Sequence, residues 1–328
     1  MTDGRSLPAP RRAAQRAFDV RLRRPVADDF DRVLELIQAC DRAVYGGTDW
    51  TPEELRDQWD EIDLTTDAWV AELDGRLAGV VHLCDVRGGR IITDGYVHPE
   101  LVEHGVGSAL VDAVEERARD IAAQMPEGDP AFVETAHLVG DERAPRLLTD
   151  RGYRRARTFF RMTRSIEGEL PEPEWPEGIV LRPFEVARHG AGVHAAFEIA
   201  FAGEWGHVER AYDAWADRVF GWRGFDPGLV VTAWEGDELA GFSLNYPKRM
   251  GDWGWIGSIG VVPGWRRRGL GEALLSESFH RFRDAGEAVV ALGVDAENPT
   301  GATRLYERVG MTVLWRADVW RKDLRAGE

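Results

Sequence analysis

The residues best equipped for chemistry lie in one run, Arg266-Arg267-Arg268-Gly269-Leu270-Gly271, just after an apolar stretch from Trp255 to Val262. Gly269 and Gly271 lack the Cβ atoms that would keep backbone N–H groups away from an anion. Three guanidinium groups add fixed positive charge, and a helix opening at this turn would add the positive end of its dipole. Such a turn can cradle a pyrophosphate. It is not a phosphate loop of the Gly-Lys-Ser/Thr kind, and it lacks the three spaced glycines of a dinucleotide fingerprint.

The neighbouring elements must hold that cradle in place. From Gly269 to about Arg283, Leu270, Leu274, Leu275, Phe279 and Phe282 recur at helical spacing and predict a helix with one apolar face. A buried strand follows at Ala288–Val294. A second helix is expected from about Asn298-Pro299-Thr300, carrying Ala302, Leu305 and Tyr306, and then Gly310 and a closing strand at Leu314–Trp320. Asn298 before Pro-Thr would serve well as a helix N-cap.

This order resembles the GNAT superfamily of acyl-CoA-dependent N-acyltransferases. Their turn reads Gln/Arg-x-x-Gly-x-Gly/Ala, which Arg266, Gly269 and Gly271 match over a resemblance running from about 179 to 328. The resemblance implies a splayed mixed central sheet flanked by helices, with acetyl-CoA as acyl donor. Its pyrophosphate would lie on Arg266, Arg267, Arg268, Gly269, Leu270 and Gly271. Its pantetheine arm would run beside Ile259, Gly260 and Val261, with Asn298 as a further contact. Tyr306 matches the family tyrosine that protonates the departing sulfur, and the acceptor implied is a primary amine of a small molecule. Many members carry a glutamate base on the strand before the turn; here that strand reads Trp255-Ile-Gly-Ser258, without a carboxylate. Glu204, Asp295 and Glu297 are the alternatives for a base, with Ser258 at most a relay.

A decayed copy of the same layout precedes it. His98-Pro99 and Val102–Gly107 align with 262–271, Gly105 against Gly269 at an offset of 164; Leu77-Ala78-Gly79 aligns with Leu239-Ala240-Gly241 at 162; Gly152 aligns with Gly310 at 158. Leu22–Pro25 echoes Leu181–Pro183. Near-constant offsets indicate duplication. The first copy has Val102 for Arg266, Glu103 and His104 for Arg267 and Arg268, and Leu148 for Tyr306, so it keeps the glycines without the charge or the phenol. The tandem arrangement is similar to GNAT proteins of the mycothiol synthase type, with Phe201–Gly203 and Phe225–Leu229 as further points of likeness. The strand glutamate expected of that type falls at Trp255.

An α/β chain is therefore expected, of two tandem GNAT domains: a tail over 1–18 read as disordered, a degenerate domain over 19–166, a Pro- and Glu-rich linker over 167–178, and a catalytic domain over 179–328. Hydrophobic residues at 44% and charged residues at 30% suit globular domains. A net charge of −16 argues against nucleic-acid binding. No apolar run approaches the ~20 residues of a membrane span. Cys40 and Cys84 lack metal-ligand spacing and read as reduced, buried thiols suited to the cytoplasm, and no Cys/His cluster suggests a metal. In the segment 204–226, Trp205, Tyr212, Trp215, Phe220, Trp222 and Phe225 read mostly as core, while Glu204, Glu209, Asp213 and Asp217 beside them could receive a cation. A catalytic N-acetyltransferase is expected, the alternatives being a non-catalytic acyl-CoA-binding protein and mycothiol synthesis.

Overall fold

The computed structural model describes residues 19–249, 253–298 and 300–325; the tail expected over 1–18 lies outside them. The first half runs β1 (Val20–Arg23), α1 (Phe30–Tyr45), α2 (Pro52–Asp60), β2 (Ala68–Leu73), β3 (Arg76–Arg87), β4 (Arg90–Val97), α3 (Val106–Gln124), β5 (Ala131–Leu138), α4 (Arg143–Asp150) and β6 (Arg154–Ser165). The second half repeats that order as β7 (Ile179–Leu181), α5 (Val186–Phe201), α6 (Tyr212–Phe220), β8 (Val231–Glu235), β9 (Glu238–Arg249), β10 (Trp253–Val261), α7 (Leu270–Asp284), β11 (Val289–Asp295), α8 (Ala302–Arg308) and β12 (Thr312–Arg325).

Local chemistry accounts for many of these boundaries. Thr51 and Glu54 form a reciprocal capping box at the start of α2, with Pro52 in its first turn. Asp74 and Gly75, at φ +49° and +78°, give β2 and β3 a hairpin turn whose twist suits the strands. Along α7, Leu270, Leu274, Leu275, Phe279 and Phe282 are buried together, as their spacing predicts.

All twelve strands join in one sheet, in the order β1-β2-β3-β4-β5-β12-β6-β11-β10-β9-β8-β7. The two halves exchange their last strands. β6 pairs antiparallel with β11, from Ser165 opposite Val289 to Phe159 opposite Asp295, while β12 pairs antiparallel with β5. β6 and β12 also pair with each other, with Ala317 opposite Phe159. In consequence Met162 and Ile166 are buried beside Phe279, Phe282 and Leu292, and Trp320 and Leu324 pack on the first half's core. Each such buried aliphatic side chain contributes about 1.5–3 kcal/mol, which binds the halves together. Between them, residues 167–178 form no helix or strand, yet Leu170 is buried in the second half's core and Trp175 packs against it.

Candidate active site

β10 and β11 run parallel from Gly254 opposite Val290 to Ile256 opposite Leu292, and no further. β10 then continues along β9 alone to Val261, with a bulge between Ile256 and Ser258. The parting strands open a groove of about 910 Å³. Ile259, Gly260 and Val261 line one wall and Leu292, Gly293, Val294 and Asp295 the other. The lining also includes Arg266, Arg267, Gly269, Leu270 and Gly271, together with Glu204, Asn298 and Tyr306. β4 and β5 part in the same way after Thr93 and Thr135.

The turn has a conformation few sequences adopt. Gly269 caps α7 at φ +86°, and Arg267 holds φ +62°, a region costly for a residue with Cβ. Gly105 at +85° and Glu103 at +64° reproduce both values in the first half, so the duplicated backbone survives where the charge does not. The three arginines differ. Arg266 donates from Nε to the Val261 carbonyl at 3.0 Å and from its terminal nitrogen to the Ala200 carbonyl at 3.2 Å, lashing the turn to β10 and to the end of α5. Arg267 lines the groove. Arg268 pairs with Glu235 at 2.9 Å, donates to the Glu177 carbonyl, and does not line the groove. Gly271 serves packing as well, since a Cβ there would come within 3.0 Å of Leu305, the neighbour of Tyr306 on α8.

Tyr306 is 7% exposed. Burial, reinforced by the negative charge of Glu204, pushes its phenol well above the usual range, so it holds its proton at neutral pH. Glu204, on the loop after α5, accepts from Asn298 Nδ2 at 2.8 Å. Asn298 Oδ1 accepts from the Thr300 N–H at 2.8 Å and so shapes the turn before α8, whose N-cap is Gly301. Glu204, Asn298 and Tyr306, more than a hundred positions apart in the extreme, thus meet at one groove.

The other proposed bases fare differently. Asp295 lines the groove, but its Oδ1 accepts from the Glu297 N–H at 2.8 Å. Glu297 pairs with Arg157 at 2.6 Å and does not line the groove. Ser258 donates to the Gly257 carbonyl at 2.8 Å. At the position where a strand glutamate would be expected, the Trp255 ring packs 4.3 Å from the guanidinium of Arg161, which pairs with Asp49 of the first half at 3.3 Å. Of the aromatic and acidic segment after α5, only Glu204 and Trp205 line the groove; Tyr212, Trp215, Phe220, Trp222 and Phe225 are core. Reading the second half alone misses Phe159, a lining residue from β6 of the first half, and no local pattern flags it. Among the described residues no group of His, Cys, Asp and Glu could hold a metal, and no helix is long and apolar enough to cross a membrane.

A mixed sheet that splays over a Gly-rich turn and a buried tyrosine defines an acyltransferase of the acyl-CoA-dependent class. The acetyltransferase (GNAT) family profile matches residues 30–125 and again 192–311, and the chain belongs to that family as an N-acetyltransferase with its domain in tandem. The mycothiol acetyltransferase of Saccharopolyspora erythraea is 31% identical over 264 residues, covering 76% of this chain and 83% of that protein. That of Geodermatophilus obscurus is 32% identical over 319 residues, covering 89% and 98%. A GCN5-related N-acetyltransferase from Sphaerobacter thermophilus superposes with a TM-score of 0.85 at 34% identity, covering 94% and 97%. A tandem GNAT protein from the clavulanic acid pathway shares the fold, with a TM-score of 0.72 at 14% identity, covering 94% of this chain and all of that one.

Proposed function

We propose that the chain transfers an acetyl group from acetyl-CoA to a primary amine of a small molecule, by direct attack in a ternary complex, at the groove of the second half. The observation that carries this reading is the convergence of Glu204, Asn298 and Tyr306 on a groove opened by strand splay beside an Arg- and Gly-rich turn. Arg266, Arg267 and the N–H groups from Gly269 to Gly271 would hold the pyrophosphate. The backbone of Ile259, Gly260 and Val261 would receive the pantetheine arm as an added strand. Arg268, tied to Glu235, plays no direct part.

The chemistry requires a neutral amine and a proton for the leaving group. The carboxylate of Glu204 accepts the proton of the acceptor's ammonium. The freed nitrogen attacks the thioester carbonyl, forming C–N as the carbon–oxygen double bond opens, while backbone N–H groups along β10 stabilise the oxyanion. When the carbonyl re-forms, the C–S bond breaks, the Tyr306 phenol gives its proton to the thiolate, and the extra proton shed by the acylated nitrogen restores the phenol. A phenol kept protonated by burial is suited to that role.

A second reading names the acceptor. The relatives called mycothiol acetyltransferase favour mycothiol lacking its acetyl group, whereas Trp255, packed on Arg161, departs from the strand carboxylate expected of that type. Cys40 and Cys84, neither in a disulfide, and the acidic balance suit a cytoplasmic enzyme.

The test is thiol release from acetyl-CoA across a panel of primary amines that includes unacetylated mycothiol, with Tyr306→Phe as control. Turnover lowered about a hundredfold or more in the variant supports the assignment. Tight CoA binding with no turnover on any amine would leave a binding protein instead.

A further inference from the structure

The loop that carries Glu204 is held in part by the first half of the chain. Trp205 follows Glu204 directly and lines the groove. The guanidinium of Arg90, on β4, lies 5.0 Å from its ring centroid, that of Arg157, on β6, lies 5.8 Å away, and the ring of Phe159 lies 5.9 Å away. All three belong to the copy that has lost its own arginine and tyrosine. Arg90 is anchored from behind by Glu134, which is 1% exposed on β5. The approach is close: a Cβ on Gly206, which sits at φ +75°, would come within 2.9 Å of the Arg90 guanidinium. Two residues on, Val208 lies against the β3–β4 turn at Gly88, where an added Cβ would come within 3.7 Å of it. Between these two residues the loop is fastened to its own helix, His207 meeting Glu198 at 2.7 Å.

We infer that Arg90, acting through Trp205, is a positioning residue for Glu204, so that the first half supplies the placement of the second half's base. The inference rests on the proposed acetyl transfer. The two guanidinium groups are drawn to the indole by cation–aromatic attraction. The Glu204 carboxylate accepts a hydrogen bond from Asn298, which fixes it on one side, and the clamped indole fixes its backbone on the other. This gives the decayed copy a task that needs neither acyl-CoA binding nor chemistry of its own.

The experiment compares the full-length chain with its Arg90→Lys and Trp205→Leu variants. Arg90→Lys keeps a positive charge against Glu134 but loses the flat guanidinium; Trp205→Leu unpairs no buried charge and covers the case in which the first variant folds poorly. Each is assayed with acetyl-CoA, the best acceptor of the amine panel, and the β-fluorinated analogue of that acceptor, whose nitrogen is less basic. The CoA dissociation constant is measured alongside. A displaced base lowers kcat on the basic amine by about tenfold, with a much smaller loss on the analogue that needs less help to shed its proton, and leaves CoA affinity unchanged. Equal losses on both amines, or no loss, would overturn the inference. No turnover by the parent chain on any amine would remove the functional reading and this one together; turnover by the parent with indifferent variants removes this one alone.

Discussion

Asn298 Nδ2 donates to Glu204 Oε2 at 2.8 Å, joining the loop after α5 to the turn before α8 across the open end of the splayed strands. The same asparagine shapes its own turn through Oδ1. One side chain thus fixes a carboxylate and leads into the helix that carries Tyr306, so the proposed base and the proposed acid are placed by a shared element.

Replacing Asn298 with Asp separates these duties. Asn298→Asp keeps an acceptor for the Thr300 N–H but turns a second carboxylate toward Glu204. Thermal unfolding should shift little, while turnover should fall about tenfold or more, the worth of one hydrogen bond to a charged group. Unchanged turnover would show that the Asn298–Glu204 contact has no part in catalysis.

The arginines of the turn should not behave alike. Arg266→Ala removes groove charge and two ties to backbone carbonyls, so CoA affinity should drop by about 1.5–3 kcal/mol. Arg268→Ala removes an ion pair with Glu235 on a solvent-exposed surface and should change affinity and stability little. Titration calorimetry with CoA distinguishes them, and equal losses would contradict the placement of Arg268.

The pair Arg161–Asp49 lies deep between the halves, with Arg161 5% and Asp49 8% exposed and the guanidinium between the rings of Trp255 and Trp315. Arg161→Met strands Asp49 near the buried Asp41 and should destabilise the chain by about 3–5 kcal/mol in urea unfolding. Adding Asp49→Asn should recover part of that loss. If the double variant is no more stable than the single one, the pair is not what holds this junction.

Asp41 makes stability depend on pH. Burial and the nearby negative charge of Asp49 raise its carboxyl to about 7. Its proton is therefore held in the folded chain over the interval from about 4, where an unfolded aspartate ionises, up to about 7. Because the folded state binds more protons there, the contribution of Asp41 to stability is present in full below that interval and drains away as pH rises through it. Asp41→Asn should flatten this slope and leave the chain more stable than its parent at pH ~8. Parallel unfolding curves for parent and variant across the interval would rule the effect out.

Much was legible along the chain because it depends on near neighbours. The α7 stripe, the duplicated glycine turn and the loss of Arg266 and Tyr306 counterparts in the first copy are patterns of spacing, and the φ angles at Gly105 and Gly269 agree to within a degree. The exchange of β6 and β12 was not legible. Each of those strands has the same alternating pattern whichever copy it joins, and only the packing of Met162, Ile166, Trp320 and Leu324 selects the partner.

By itself, then, the sequence determined a repeated acetyltransferase layout with one charged turn and one tyrosine, since short-range spacing encodes turns, caps and helix faces. Tertiary structure decided that Glu204 meets Asn298 while Glu297 goes to Arg157, that Arg268 turns to Glu235, and that from the other half Phe159 reaches the groove and Arg90 reaches Trp205. Those choices follow from which strands pair and which side chains find charge partners once buried, quantities that no local window contains.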